Sequence, residues 1–233
     1  MTLASSYGRV SYKFGQNPEI GIGTAADIWG AGGVKTDLTV ESKLSLVSDE
    51  ITDTPAGVGA WSILIQGICA DLCEHSEVVI LDGTDAVQTV NSYLMLHEAY
   101  VYQGGSSSQV GTITITAVTG GSVQGVISPT TRSITSTHYM IPKDYGMSII
   151  NLWASIEKLS GGAVTLLIKN PGENTVYRSA GSVIMFQNIA TFNYAKNVVI
   201  PTGTRIKLSM TAGSNKLAVS GGWNASLIPQ AAL

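Results

Sequence analysis

Val110-Gly111-Thr112-Ile113-Thr114-Ile115-Thr116-Ala117-Val118 alternates isoleucine with threonine through its centre. Successive side chains of a β-strand point to opposite faces, so this run predicts a strand with isoleucine facing a core and threonine facing water. The same period-two grammar extends outward in both directions. Upstream, Ser92–Tyr102 is a further run, closed by Gly104-Gly105-Ser106-Ser107-Ser108. Before it, Ser62–Gln66 and Glu77–Leu81 bracket residues 67–75 and predict an antiparallel hairpin, with Asp82-Gly83 ending its second strand. Downstream, Gly120-Gly121 stops the run and a short strand, Val123–Ile127, leads to Ser128-Pro129, the candidate internal boundary.

Beyond Pro129 the pattern predicts strands at Thr137–Pro142, Ser148–Ile156, Ala163–Ile168, Val176–Ser179, Ala190–Tyr194, Arg205–Met210 and Ala218–Ile228. Turn signals such as Ser160-Gly161-Gly162 and Asn170-Pro171-Gly172 separate several of them, and no helical period is found. Many short strands at spacings near ten residues predict an all-β fold, an antiparallel β-sandwich of jelly-roll or Greek-key type, in one or two β-subdomains. The expected division is an extended N-terminal arm over 1–42, a first β-region over 43–129 and a second β-sandwich region over 130–233.

The composition agrees. The chain has 233 residues, of which 22 are Thr, 20 Val, 22 Ile, 25 Ser and 26 Gly. Only 12% are charged, against about 25% in an ordinary soluble domain. Thirteen basic against sixteen acidic residues give a formal charge of -3, which offers no field for the phosphates of nucleic acid. No stretch reaches the roughly 18 apolar residues of a membrane helix, and the first twenty residues lack the apolar core of a signal peptide, so no membrane partner and cytoplasmic synthesis are expected. Two cysteines cannot build a disulfide framework. With so few charges to keep it apart from its neighbours, the chain is expected to bury surface in an oligomer or lattice.

The constellations that could carry chemistry have simpler explanations. Cys69, Cys73 and His75 form a C-x3-C-x-H array with three zinc-type ligands. A hairpin would place the cysteines on facing strands, however, and a fourth ligand would have to come from His97 or His138 with no local motif to place it, so two free thiols are expected. The three histidines sit in no recognisable hydrolase setting, and Gly21-Ile22-Gly23 is only a fragment of a dinucleotide fingerprint. Asp49, Glu50 and Asp53 could suggest paired carboxylates or a calcium loop, but they lie in a turn-rich stretch where Asp53 and Thr54 are expected to bond their own backbone. No catalytic residue, metal site or cofactor is assigned. Trp61, Trp153, Trp223 and Tyr177 are candidates for sugar stacking, with core packing as the alternative.

Residues 1–42 show few alternating runs and have turn elements at Asn17-Pro18, Gly21-Ile22-Gly23 and Gly30–Gly33, yet they carry Tyr7, Phe14, Ile28 and Trp29. Large apolar side chains on a solvated tail need cover, either from the same subunit or from a neighbour. These four are the candidate contacts of an assembly arm.

Several blocks together resemble a set of tailed-bacteriophage virion structural proteins common in aquatic phages. They are Phe14–Ile20 and Asp27–Gly33, Val47–Ala60, Ile65-Gln66-Gly67, Val78–Thr84, Ala99-Tyr100-Val101 with Gly111–Ile115, Tyr139–Pro142 followed by Trp153-Ala154-Ser155, and Ala218–Gly222. The likeness covers nearly the whole chain and departs from the usual pattern at Cys69, Cys73 and His75. It implies a β-rich, non-enzymatic structural component of the virion, on the head or at the neck and tail. Because trimers suit the local threefold positions of a capsid lattice, the expected role is a decoration or cement protein that forms a symmetric oligomer, a trimer, and contacts the major capsid protein or neighbouring virion proteins. A receptor- or glycan-binding tail or fibre protein is the competing class, distinguished by an exposed aromatic groove.

Overall fold

The computed structural model describes residues 9–157, 161–172, 176–185, 189–194, 198–213 and 216–230. Every regular element of any length in these residues is a β-strand, and the strand ladders are antiparallel. The protein is therefore all-β. Two compact units share the chain: residues 1–28 with 137–233 form one, and residues 29–136 are inserted within it as the other.

In chain order the first unit contributes β1 (Arg9–Ile20) and β2 (Ala25–Asp27). The inserted unit holds β3 (Leu44–Ser48), β4 (Ala60–Ile68), β5 (Glu74–Ile80), β6 (Val87–Gln88), β7 (Met95–Gly104), β8 (Ile113–Ala117) and β9 (Val123–Ile127). The first unit then resumes with β10 (Tyr139–Met140), β11 (Tyr145–Ile156), β12 (Gly162–Lys169), β13 (Arg178–Met185), β14 (Ile189–Asn193), β15 (Arg205–Ala212) and β16 (Leu217–Pro229).

The first unit is a jelly roll. Leaving out the short β2, its eight strands pair first with last (β1 with β16), second with seventh (β10 with β15), third with sixth (β11 with β14) and fourth with fifth (β12 with β13). Cross-pairing of β11 with β16 and of β12 with β15 joins these hairpins into two sheets, β1-β16-β11-β14 and β10-β15-β12-β13, with β2 added beside β15. Both sheets turn apolar side chains into one core, where Leu152 and Trp223 meet Leu166, Leu208 and Met210. The inserted unit repeats the principle with sheets β6-β3-β8-β9 and β5-β4-β7 around Leu46, Ile63, Ile65, Ile113 and Ile115. In β8 the isoleucines are buried and Thr114 and Thr116 face outward, as the alternation predicts.

The N-terminal division needs correction. Residues 9–20 are not an arm outside the fold; they are the first strand of the jelly roll, paired with β16 from Arg9↔Leu227 to Asn17↔Val219. The pattern hid this strand because its polarity is inverted. Its inward positions are Lys13, Gly15 and Asn17, while Val10, Tyr12 and Phe14 point outward. Asn17 is accommodated by donating from Nδ2 to the Asp27 carbonyl at 2.7 Å and accepting from the Glu19 N–H at 3.0 Å. Gly15 is required because a Cβ there would collide with the Ile28 carbonyl oxygen. The boundaries at 42/43 and 129/130 move as well: the inserted unit begins at Trp29 and ends at Ser136, with Ser133 and Ile134 still bridged to Tyr100 and Ile127.

Candidate functional site

Of the candidate arm contacts, Tyr7 lies outside the described residues. Ile28 is fully buried in the core of the first unit. Trp29 is buried in the inserted unit, with Nε1 donating to the Gly33 carbonyl at 3.1 Å. Neither side chain is available to a neighbour. Phe14 alone remains on the surface, 38% exposed.

Asp49, Glu50 and Asp53 do not form a carboxylate pair. Asp53 is fully buried and accepts four hydrogen bonds: from Ser48 Oγ at 2.6 Å and the N–H groups of Ala60, Val110 and Gly111 at 2.7, 3.0 and 2.9 Å. Instead of bonding only its own turn, as the sequence suggests, it ties the 48–60 loop to the start of the β8 segment. With four donors its lone pairs are filled, and it has no capacity left for a cation or a proton-transfer role. Asp49 makes a separate bond, accepting from the Thr112 N–H at 2.6 Å.

Neither Cys69 nor Cys73 is part of a disulfide. Cys69 and Cys73 flank the tight turn between β4 and β5, closed by Cys69 N–H to the Cys73 carbonyl at 3.1 Å, and Leu72 takes the left-handed conformation there. Burial, reinforced by the charges of Asp71 and Glu41, pushes the Cys69 thiol up to about 11. Among the described residues no group of three or more His, Cys, Asp or Glu side chains is placed to hold a metal ion.

His75 is exposed on β5, His97 is buried on β7, and His138 is sealed inside the first unit. His138 belongs to an ionic cluster that the sequence spacing gave no means of assembling. Its Nε2 lies 3.2 Å from Asp27 Oδ2, and Lys207 Nζ reaches the same carboxylate at 2.9 Å. Burial pushes the Asp27 pKa up, but the His138 hydrogen bond and charge and the Lys207 ammonium outweigh it, leaving the carboxyl below its ordinary range. The cluster fixes β2 against β15, where Asp27 pairs with Ser209. Asp27, His138 and Lys207 are all nearly or fully buried, so substrate has no route to them.

The surface feature with recognisable chemistry lies on the outer face of sheet β1-β16-β11-β14. Its registers place Tyr12 beside Asn224 and Asn151, Phe14 beside Gly222 and Trp153, and Gln16 beside Ser220 and Ser155. Gly222 lets the aromatic row form. A Cβ there would collide with the Lys13 carbonyl oxygen and stand 3.2 Å from the Trp153 ring, so the bare backbone leaves room for the indole, which stacks with Phe14 at a centroid distance of 5.9 Å and an interplanar angle of 24°. Asn224 Nδ2 donates to Asn151 Oδ1 at 2.9 Å, and Gln16 Nε2 to Ser220 Oγ at 3.4 Å. From Val10 to Gln16 every register partner on this face is uncharged. Trp153 is the one sequence candidate for stacking that stands here. Trp223 is core, with Nε1 donating to the Thr137 carbonyl; Trp61 Nε1 donates to the Gly57 carbonyl; and Tyr177 lies beneath the Lys207 and Lys169 ammonium groups at 4.4 and 4.9 Å.

No protein-family model matches the chain, and no curated protein does. Solved structures that it is similar to include the infectious bursal disease virus Gx strain, at 12% identity over 96% of this chain and 71% of the other, with a TM-score of 0.27. The VP2 subviral particle of the same virus is 12% identical over 99% and 74%, with a TM-score of 0.26. The triple jelly-roll turret protein of an archaeal virus is 11% identical; the match covers 95% of this chain and 60% of that one, with a TM-score of 0.23.

Proposed function

We propose that this protein is a non-enzymatic structural component of a virion, a capsid decoration or cement protein that associates with itself as a symmetric trimer and docks on the major capsid protein. The observation that carries the reading is the outer face of sheet β5-β4-β7. In β8 the outward positions are threonine, the normal solution for a solvated face. Here the outward rung is Val78–Leu64–Tyr100, and Ile80, next along the edge strand, is 64% exposed. Among the described residues β5 has no partner on its far side. An apolar row beside an open strand edge invites association unless a partner covers it. The engaged carboxylates Asp27 and Asp53 and the sealed His138 favour a structural role over a catalytic one. Jelly rolls are an architecture of viral capsid and lectin domains, which agrees with the sequence resemblance, although a fold by itself does not decide function.

Mass photometry of the full chain tests the assembly. A trimer that the Val78→Lys, Ile80→Lys variant converts to folded monomers is the expected result, and a parent that is monomeric at micromolar concentration overturns it. The virion reading stands or falls separately, on whether the protein is found in a density map of the intact particle.

A further inference from the structure

We propose that the outer face of sheet β1-β16-β11-β14 binds a neutral saccharide, with the Trp153 and Phe14 rings as a stacking platform and the Asn151–Asn224 pair as the hydroxyl-reading group. This goes beyond the structural role above and holds whether or not the protein sits on a virion. The argument is one of chemical fit. A pyranose presents a patch of C–H groups on one face and a rim of hydroxyls that both donate and accept. Trp153 and Phe14 stack on one another, ring centroids 5.9 Å apart with planes at 24°, and form a continuous apolar surface on this face, with Tyr12, 70% exposed, two residues from Phe14 on the same strand.

Beside that floor the amides of Asn151 and Asn224 use one mutual bond of the several they can make, leaving donor and acceptor capacity for hydroxyls. Gln16, bonded to Ser220, adds a third amide on the other side of the aromatic row. An apolar surface with a few placed polar groups is the usual composition of a small-molecule site. The face has no Lys or Arg between Val10 and Gln16 to pair with a carboxylate or sulfate, so the ligand is a neutral sugar rather than a sialylated or uronic one. Nor does it resemble a surface for a second copy. That role suits the aliphatic Val78–Leu64 rung, whereas this face would bury amides and hydroxyls that need partners.

The test uses the full chain on an array carrying neutral and acidic glycans side by side, followed by calorimetric titration with the best-bound neutral oligosaccharide. The expected result is retention of neutral glycans, weakened about tenfold or more by Trp153→Ala, in line with the loss of one aromatic contact. Tyr12→Ala and Asn151→Ala, which disturb no core contact, should each weaken it as well, and Tyr102→Ala in the inserted unit should leave it unchanged. Four outcomes overturn the proposal: no glycan retained, retention of acidic glycans only, neutral binding that survives the combined Tyr12→Ala, Trp153→Ala substitution, or an oligomer that Tyr12→Lys dissociates, which would show the face occupied by a second copy.

Discussion

Replacing Asp53 with alanine should come close to unfolding the inserted unit. The side chain is fully buried and is the acceptor for Ser48 Oγ and for the N–H groups of Ala60, Val110 and Gly111. Each buried donor left without a partner costs about 1–3 kcal/mol. The four are not additive, since the loop relaxes and water reaches the least buried of them, so a loss of about 3–6 kcal/mol is expected. Against a typical domain stability of about 5–15 kcal/mol, that leaves a marginal unit or none. Asp53→Asn should cost nearly as much, because its amide turns a donor toward donors. Asp49→Ala, which removes a single exposed bond to the Thr112 N–H, should cost about 1 kcal/mol or less. Urea unfolding followed by circular dichroism gives the energies, and hydrogen exchange read at Ala60 and Gly111 localises them. If Asp53→Ala costs no more than Asp49→Ala, the carboxylate is not the tie between the loop and β8 that its geometry implies.

Further outcomes follow from the other clusters. Asp27 has a depressed folded-state pKa, so its ionised form stabilises the fold at pH values above the ordinary carboxylate value of 3.8, and that contribution fades as pH falls below it; Asp27→Asn should lower the melting temperature at neutral pH and flatten its decline in acid. Deleting residues 1–28 should yield insoluble or unfolded protein by circular dichroism, because it removes β1 and β2, exposes the edge of β16 and empties the sites of Ile20 and Ile28, each worth about 1.5–3 kcal/mol of burial; a soluble, β-rich product would restore the arm reading. Aromatic disulfide titration at mildly alkaline pH should modify the half-buried Cys73 first and Cys69 slowly, since Cys69 is buried and its thiol is pushed up to about 11; equal rates would contradict the burial.

The β-class, most strands after residue 60 and the Cys69–Cys73 turn are legible in the order of amino acids, because period-two alternation and turn residues are local signals that need no knowledge of partners. The rest depends on which distant segments of the chain pair with one another. β1 was illegible because a strand is recognised by apolar residues facing in, and Lys13 and Asn17 face in here while Tyr12 and Phe14 face out. The unit boundaries were illegible because they depend on β1 finding β16, about two hundred residues away. The same distance governs the aromatic face: Phe14, Gly222 and Trp153 come from three separate parts of the chain, and nothing local to any of them states that a missing Cβ on the middle strand lets the outer two rings meet.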